Sequence, residues 1–330
     1  MKSVSGAVEK VEVKYLPAVP EPPGDNVCKF YLEKVLELCH HLEINHLFLH
    51  ADEAVYSKLM IIKWISAGRY DKVIPIIGGF HTILVQLKII YKKYKMIGYT
   101  DWWISSDIIA AGSAPAAEEG KHYHSALRCH NMAFEALVKF KLSKDVSGVS
   151  QLLNSLIKHD TFVTFCDNFY SLTLYEENSQ RYSITMNYMK DVSNLLTHIW
   201  AFRNNCYDSY MACTRSLLPQ MFYYNHQNYS RYLTYHYFYV LSLSSENKAA
   251  FDDLVKFGTT ACRSGQPHSR IPGDQIIEVT QNKDVKCRAG PIRLGYSTNL
   301  TSVNNWIKTS HKYAKLRDEL KKYCGMRSSI

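Results

Sequence analysis

No stretch of this 330-residue chain approaches the roughly 20 consecutive apolar residues that a membrane-spanning helix needs. The amino end, Met1 to Lys14, is charged where a secretory signal is apolar, so the expectation is an intracellular protein, of nucleus or cytoplasm, with no membrane partner. Cys-x-x-Cys pairs are missing too. The 9 cysteines are scattered singly, and an odd number in a chain without a signal predicts reduced thiols rather than disulfides or a zinc finger. No Gly-x-Gly-x-x-Gly, phosphate loop or serine elbow occurs, which leaves nucleotide-dependent and acyl-transfer chemistry without support. A long basic block is absent as well. The net charge of +9 is dispersed, which permits a polyanionic partner such as DNA without announcing one.

What the chain does have is one strongly patterned stretch between Ile44 and His81. Ile44 to Ala51 is an apolar run of strand length that delivers Asp52 at its carboxyl edge. Glu53 to Trp64 then reads as a helix with Val55, Leu59 and Ile62 on one face, ended by Ala67-Gly68. Val73 to Ile77 is a second, β-branched run, broken at Gly78-Gly79 before Phe80-His81-Thr82 and a helix through Tyr94. Strand, helix, strand, helix places Asp52 and Gly78-Gly79-Phe80-His81 at the carboxyl ends of strands, where open α/β sheets put ligand sites.

Around that stretch the pattern is helical. Residues 1–24 read as an extended arm, because four prolines between Pro17 and Pro23 forbid a helix. Asn26 to His41 is amphipathic, with Phe30, Val35, Leu38 and Leu42 on its apolar side. Residues 25–142 form the first part of an α/β core, 143–245 a helical insertion with helices over Val149 to Ile157 and Tyr182 to Trp200, and 246–330 the return to the core with a closing helix from Thr301 to Tyr323. The whole is expected to be one structural domain of α/β class, predominantly helical.

Two further features invite both a functional and a plain reading. The tyrosine-rich run from Phe222 to Val240 can stack unpaired bases beside Arg231, or it can be a core helix with Tyr229, Leu233, His236, Tyr237 and Val240 inward. Gly273-Asp274-Gln275-Ile276-Ile277-Glu278 starts a helix on which Asp274 and Glu278 share a face. The histidines near Cys39 straddle a helix end and a strand, and they lack the spacing of a metal site.

Taken in order, Tyr15-Leu16-Pro17, Ala51-Asp52 with Tyr56-Ser57-Lys58, Gly78-Gly79-Phe80-His81-Thr82, Asn228-Tyr229-Ser230-Arg231-Tyr232 and Asp274-Gln275-Ile276-Ile277-Glu278 resemble a transposon-derived eukaryotic protein family of unknown function. That family is similar to transposases of the ribonuclease H-like, DDE type. The resemblance spans about residues 13 to 320. It implies a ribonuclease H-like core fragment with a large helical insertion, acting on DNA through Mg2+ or Mn2+ held by carboxylates. Asp52 matches the position of a metal-binding acid, Glu278 is the candidate last acid with Asp274 as alternate, and His81 is a candidate phosphate or second-layer contact.

The departures from that pattern imply impaired catalysis. No strand-borne acid precedes Asp52, and Asp25 sits in a proline-flanked loop. Ala201-Phe202-Arg203 stands where the family often has Ala-Glu-Arg, and the glycine-rich segment after the second acid is reduced to Lys286-Cys287-Arg288-Ala289-Gly290-Pro291. Each site residue also has a structural alternative: Asp52 as a helix cap, the Gly78-Gly79 pair as a tight turn, Glu278 as a solvated helix face. The expected function is therefore a transposase-derived, nucleic-acid-associated protein, ancestrally a metal-dependent enzyme of DNA strand cleavage and transfer and now catalytically impaired, or a non-enzymatic helical interaction or scaffold protein that kept the fold.

Overall fold

The computed structural model describes residues 24–120, 122–144, 180–262, 265–266 and 268–279. The proline arm, the expected helices at Val149 to Ile157 and Thr301 to Tyr323, and the segment from Lys286 to Pro291 lie outside the described residues. Helix accounts for 76% of what is described, beside a small sheet. The chain divides into two compact units, residues 1–80 with 238–330, and residues 81–237.

The first unit is built on a parallel strand pair. Helix α1 (Asp25–His41) leads into β1 (Leu47–Ala51), α2 (Glu53–Ile65) and β2 (Val73–Ile77). The strands pair in register from Leu47 opposite Val73 to Ala51 opposite Ile77. Every residue of β2 is buried, whereas β1 is half-buried until Ala51. That asymmetry matches the unbroken apolar run Val73 to Ile77 against the histidine-interrupted Leu47 to Ala51. Lys63 ties the loop between α2 and β2, donating to the carbonyls of Tyr70 at 2.7 Å and Val73 at 3.0 Å.

Helix α1 is rotated from the face its larger residues suggest. Val27, Cys28, Leu32, Val35 and Cys39 are buried, while Phe30 and Leu42 remain 36% and 46% exposed. Small, apolar cysteine side chains allow close approach, and they take the inner positions. The outer side is fastened by Glu33, which accepts the Tyr70 hydroxyl at 2.6 Å and pairs with Arg69 at 2.9 Å.

The same unit is completed by the distal part of a later helix, then α10 (Lys248–Asp253), a π-turn at Leu254–Gly258, β3 (Thr260–Ala261), β4 (Ile271–Pro272) and α11 (Gly273–Val279). β3 and β4 pair antiparallel.

The second unit, among its described residues, is helical throughout. It holds α3 (Gly79–Tyr94) from His81 onward, α4 (Tyr99–Ser105), α5 (Ala114–Glu118), α6 (Tyr123–Lys144), α7 (Gln180–Asn204), α8 (Tyr207–Tyr223) and the first part of α9 (Gln227–Glu246). Met186 and Met189 of α7 pack against Phe134, Leu137 and Val138 of α6. Asp191 gathers three donors from α3 and α8: Lys93 at 2.7 Å, the Tyr94 hydroxyl at 2.6 Å and Gln220 at 3.4 Å. The α7 and α8 ends stop at Asn205 and Asn225, both at left-handed φ, a backbone state asparagine tolerates better than most residues.

Leu233, His236 and Val240 of α9 are buried, while Tyr229 and Tyr237, also expected inward, are half-buried. No described helix is long and apolar enough to cross a membrane.

Candidate functional site

The strand ends run into three different helices, and the two buried or capping acids there differ in which helix they cap. Ala51 ends β1, and its carbonyl accepts the Gly78 amide at 2.7 Å. Asp52 follows immediately and turns away as the N-cap of α2, its Oδ1 accepting the Val55 amide at 2.9 Å. That bond satisfies one of the amides a helix start leaves free, and the negative charge opposes the helix dipole favourably. Asp52 is exposed.

Asp274 has a different fate. It lies in the first turn of α11, is buried at 4% exposure, and its Oδ1 accepts the Phe80 amide at 3.0 Å. Phe80 is the second residue of α3, so the carboxylate closes a free amide of a helix other than its own. A Cβ on Gly78 would overlap the Asp274 carboxylate and stand 3.1 Å from the Ala51 carbonyl. Glycine is needed there for close approach, not for φ. Gly273 is crowded on the same account, since a Cβ would overlap the His50 ring.

His50 completes the knot. Burial pushes its imidazole pKa down, and the Asp274 charge and a hydrogen bond to the Gly258 backbone act the other way. The end of β1, the β2–α3 turn, the π-turn and the start of α11 thus meet around Asp274 and His50. The sequence offered Asp274 as an alternate metal ligand. His50 was hidden in a strand alternation, and its only local signal was a polar ring in an apolar run.

Glu278 lies half-buried in α11, one turn beyond Asp274, and His81 half-buried in the first turn of α3. A two-ion centre needs several carboxylate oxygens facing one space. Among the described residues no group of three or more His, Cys, Asp or Glu side chains is placed to hold a metal ion, and one oxygen of Asp52 and one of Asp274 already accept main-chain amides. Among the described residues, the donors in place do not assemble a two-ion centre.

The second unit carries its own buried polar chain. His198 is fully buried, its Nδ1 3.1 Å from Gln86 Oε1, and its ring stacks on Phe202 with centroids 5.1 Å apart. Tyr210 packs beside both rings and bonds His236 at 3.2 Å. Burial pushes the His198 and His130 pKa values down to about 4, and His130 bonds the Tyr188 hydroxyl at 2.9 Å. Phe202, at the position where the resemblance expects glutamate, therefore covers a neutral imidazole.

A family model for a domain of unknown function, DUF8702, matches residues 1–330. The chain belongs to the DUF8702 family. No curated protein and no solved structure matches this DUF8702 chain.

Proposed function

We propose that this DUF8702 chain is a nucleic-acid-associated protein of transposase descent that no longer cleaves DNA. The observation that carries the reading is the Asp274 to Phe80 bond at 3.0 Å. It turns a candidate metal ligand into a fastener between α11 and the start of α3. Asp52 supports it in the same way, because its Oδ1 caps α2 by accepting the Val55 amide. Phe202 supports it by filling with an apolar ring the place where the related pattern has an acid. The net charge of +9 favours phosphate contacts, and dispersed lysines and arginines make that binding weak and strongly salt dependent. The setting is intracellular, nucleus or cytoplasm.

The test is a nuclease assay with Mg2+ and Mn2+ beside DNA binding at low and moderate salt. Binding that weakens steeply with salt, without cleavage, supports the reading. Manganese-dependent cleavage that disappears in Asp52→Asn would overturn it.

A second reading, a helical protein that recognises another protein, is favoured by α2. Ile61, Trp64 and Ile65 are 43%, 51% and 78% exposed along one helix side, an apolar stripe of the kind found at interfaces. Salt-independent capture of a protein partner with no affinity for nucleic acid would favour it over the first.

A further inference from the structure

At the elbow between α8 and α9, within the second unit, aromatic rings stand in solvent. Phe222 is 60% and Tyr223 82% exposed, and the Tyr224 ring meets that of Tyr223 at 4.9 Å and 69°. The elbow is a defined turn. Asn225 adopts φ 59° and the His226 amide donates to the Met221 carbonyl at 2.9 Å, so a helix end fixes where the rings project. The packing of α8 does not require them, because Tyr210, Cys213, Leu217 and Met221 already fill its inner face.

The elbow is also basic. Lys92 of α3 donates to the Tyr224 carbonyl at 3.4 Å. Lys88, one turn earlier on α3, is exposed like Lys92. Both bear on His226, whose pKa is pushed down by burial and by these two charges, so the imidazole is neutral and the lysines supply the cations. Lys93 is excluded from that role by its ion pair with Asp191.

We propose that the α8–α9 elbow binds single-stranded nucleic acid, with Tyr223 and Phe222 as stacking faces for bases and Lys88 and Lys92 as phosphate contacts. Exposed rings beside cations are what unpaired strands recognise, since each base offers a π-face and each linkage a charge. A duplex hides its base faces and gives the rings nothing to stack on. An acidic peptide would use the lysines but would leave the rings without planar partners. The inference rests on the nucleic-acid reading above and adds the surface and the strandedness.

The experiment is fluorescence anisotropy on the full chain with a labelled mixed-sequence single strand, the matching duplex, an abasic strand of equal length and an oligoglutamate peptide. The expected order is single strand tightest. Tyr223→Ala should weaken the single strand about tenfold and leave the abasic strand unchanged. Lys88→Gln with Lys92→Gln should lower the salt slope by about 1.4, at about 0.7 per phosphate contact. Circular dichroism confirms folding of variants whose changed side chains lie at the surface. Single-strand binding untouched by Tyr223→Ala, duplex preference, or binding of oligoglutamate alone would overturn the inference. Wild-type chain that binds no nucleic acid at all would overturn the broader reading with it.

Discussion

Asp274 and Phe80 are 194 residues apart in sequence and joined by a 3.0 Å hydrogen bond from main-chain amide to carboxylate. The bond anchors the start of α3 to α11, inside the unit that also holds the parallel strands. A carboxylate in this position has a structural task whether or not it ever held a metal. Its removal should therefore be read first as a stability effect.

Asp274→Ala is expected to destabilise the chain by about 1–3 kcal/mol, because the half-buried Phe80 amide loses its acceptor. Asp274→Asn keeps an acceptor oxygen and should cost less. Urea denaturation followed by tryptophan fluorescence measures both. Equal and negligible losses would mean that the bond contributes nothing to folding.

Glycine at 78 should be far less replaceable than glycine at 112. Gly78→Ala forces its methyl into the Asp274 carboxylate and the Ala51 carbonyl, an overpacking that costs about 1–3 kcal/mol. Gly112 has nothing within 4 Å of an added Cβ, and Gly112→Ala should be close to neutral. Melting temperatures of the two variants test the contrast directly, and a neutral Gly78→Ala would show that the Asp274 site is looser than described.

The stretch from Leu47 to Tyr94 was legible because its signals are local: two apolar runs, an acid able to cap a helix, and glycines where the chain must turn. The buried stripe of α9 was legible from its period. The face of α1 was not, since Phe30 and Leu42 are the larger apolar side chains, yet the smaller Cys28 and Cys39 pack inward. Asp274 could be singled out from its helix start, but nothing local points to Phe80 as its partner. The His50 to Gly273 contact is equally non-local. The described strands form two pairs, β1 with β2 and β3 with β4, and a ribonuclease H-like topology belongs to the resemblance alone.

Acid should unfold the second unit before the carboxylates alone would require it. His198 and His130 have folded pKa values near 4, below the ordinary 6.5. The unfolded chain therefore binds more protons between those values, and stability present above about pH 6.5 falls as pH drops toward 4. Each histidine contributes about 3 kcal/mol over that window by linkage. His198→Phe should flatten the dependence of melting temperature on pH, and a slope unchanged from wild type would contradict the burial argument.

Phe202→Glu introduces an acid at a buried position against the His198 ring. A carboxylate at that point should raise the His198 pKa above about 4 by favouring the imidazolium, and cost more stability than Phe202→Leu. An imidazole titration followed by NMR reads the first effect. No shift would mean that the new side chain turns away from His198.

The most direct measurement of the central claim is a Mn2+ titration of the wild-type chain with DNA present, followed calorimetrically and by strand cleavage, with Asp52→Asn and Asp274→Asn in parallel. No stoichiometric uptake of two ions and no cleavage are expected, with thermograms that do not change in either variant. Two-ion binding and cleavage in the wild type, both lost when Asp52 or Asp274 is changed, would contradict it.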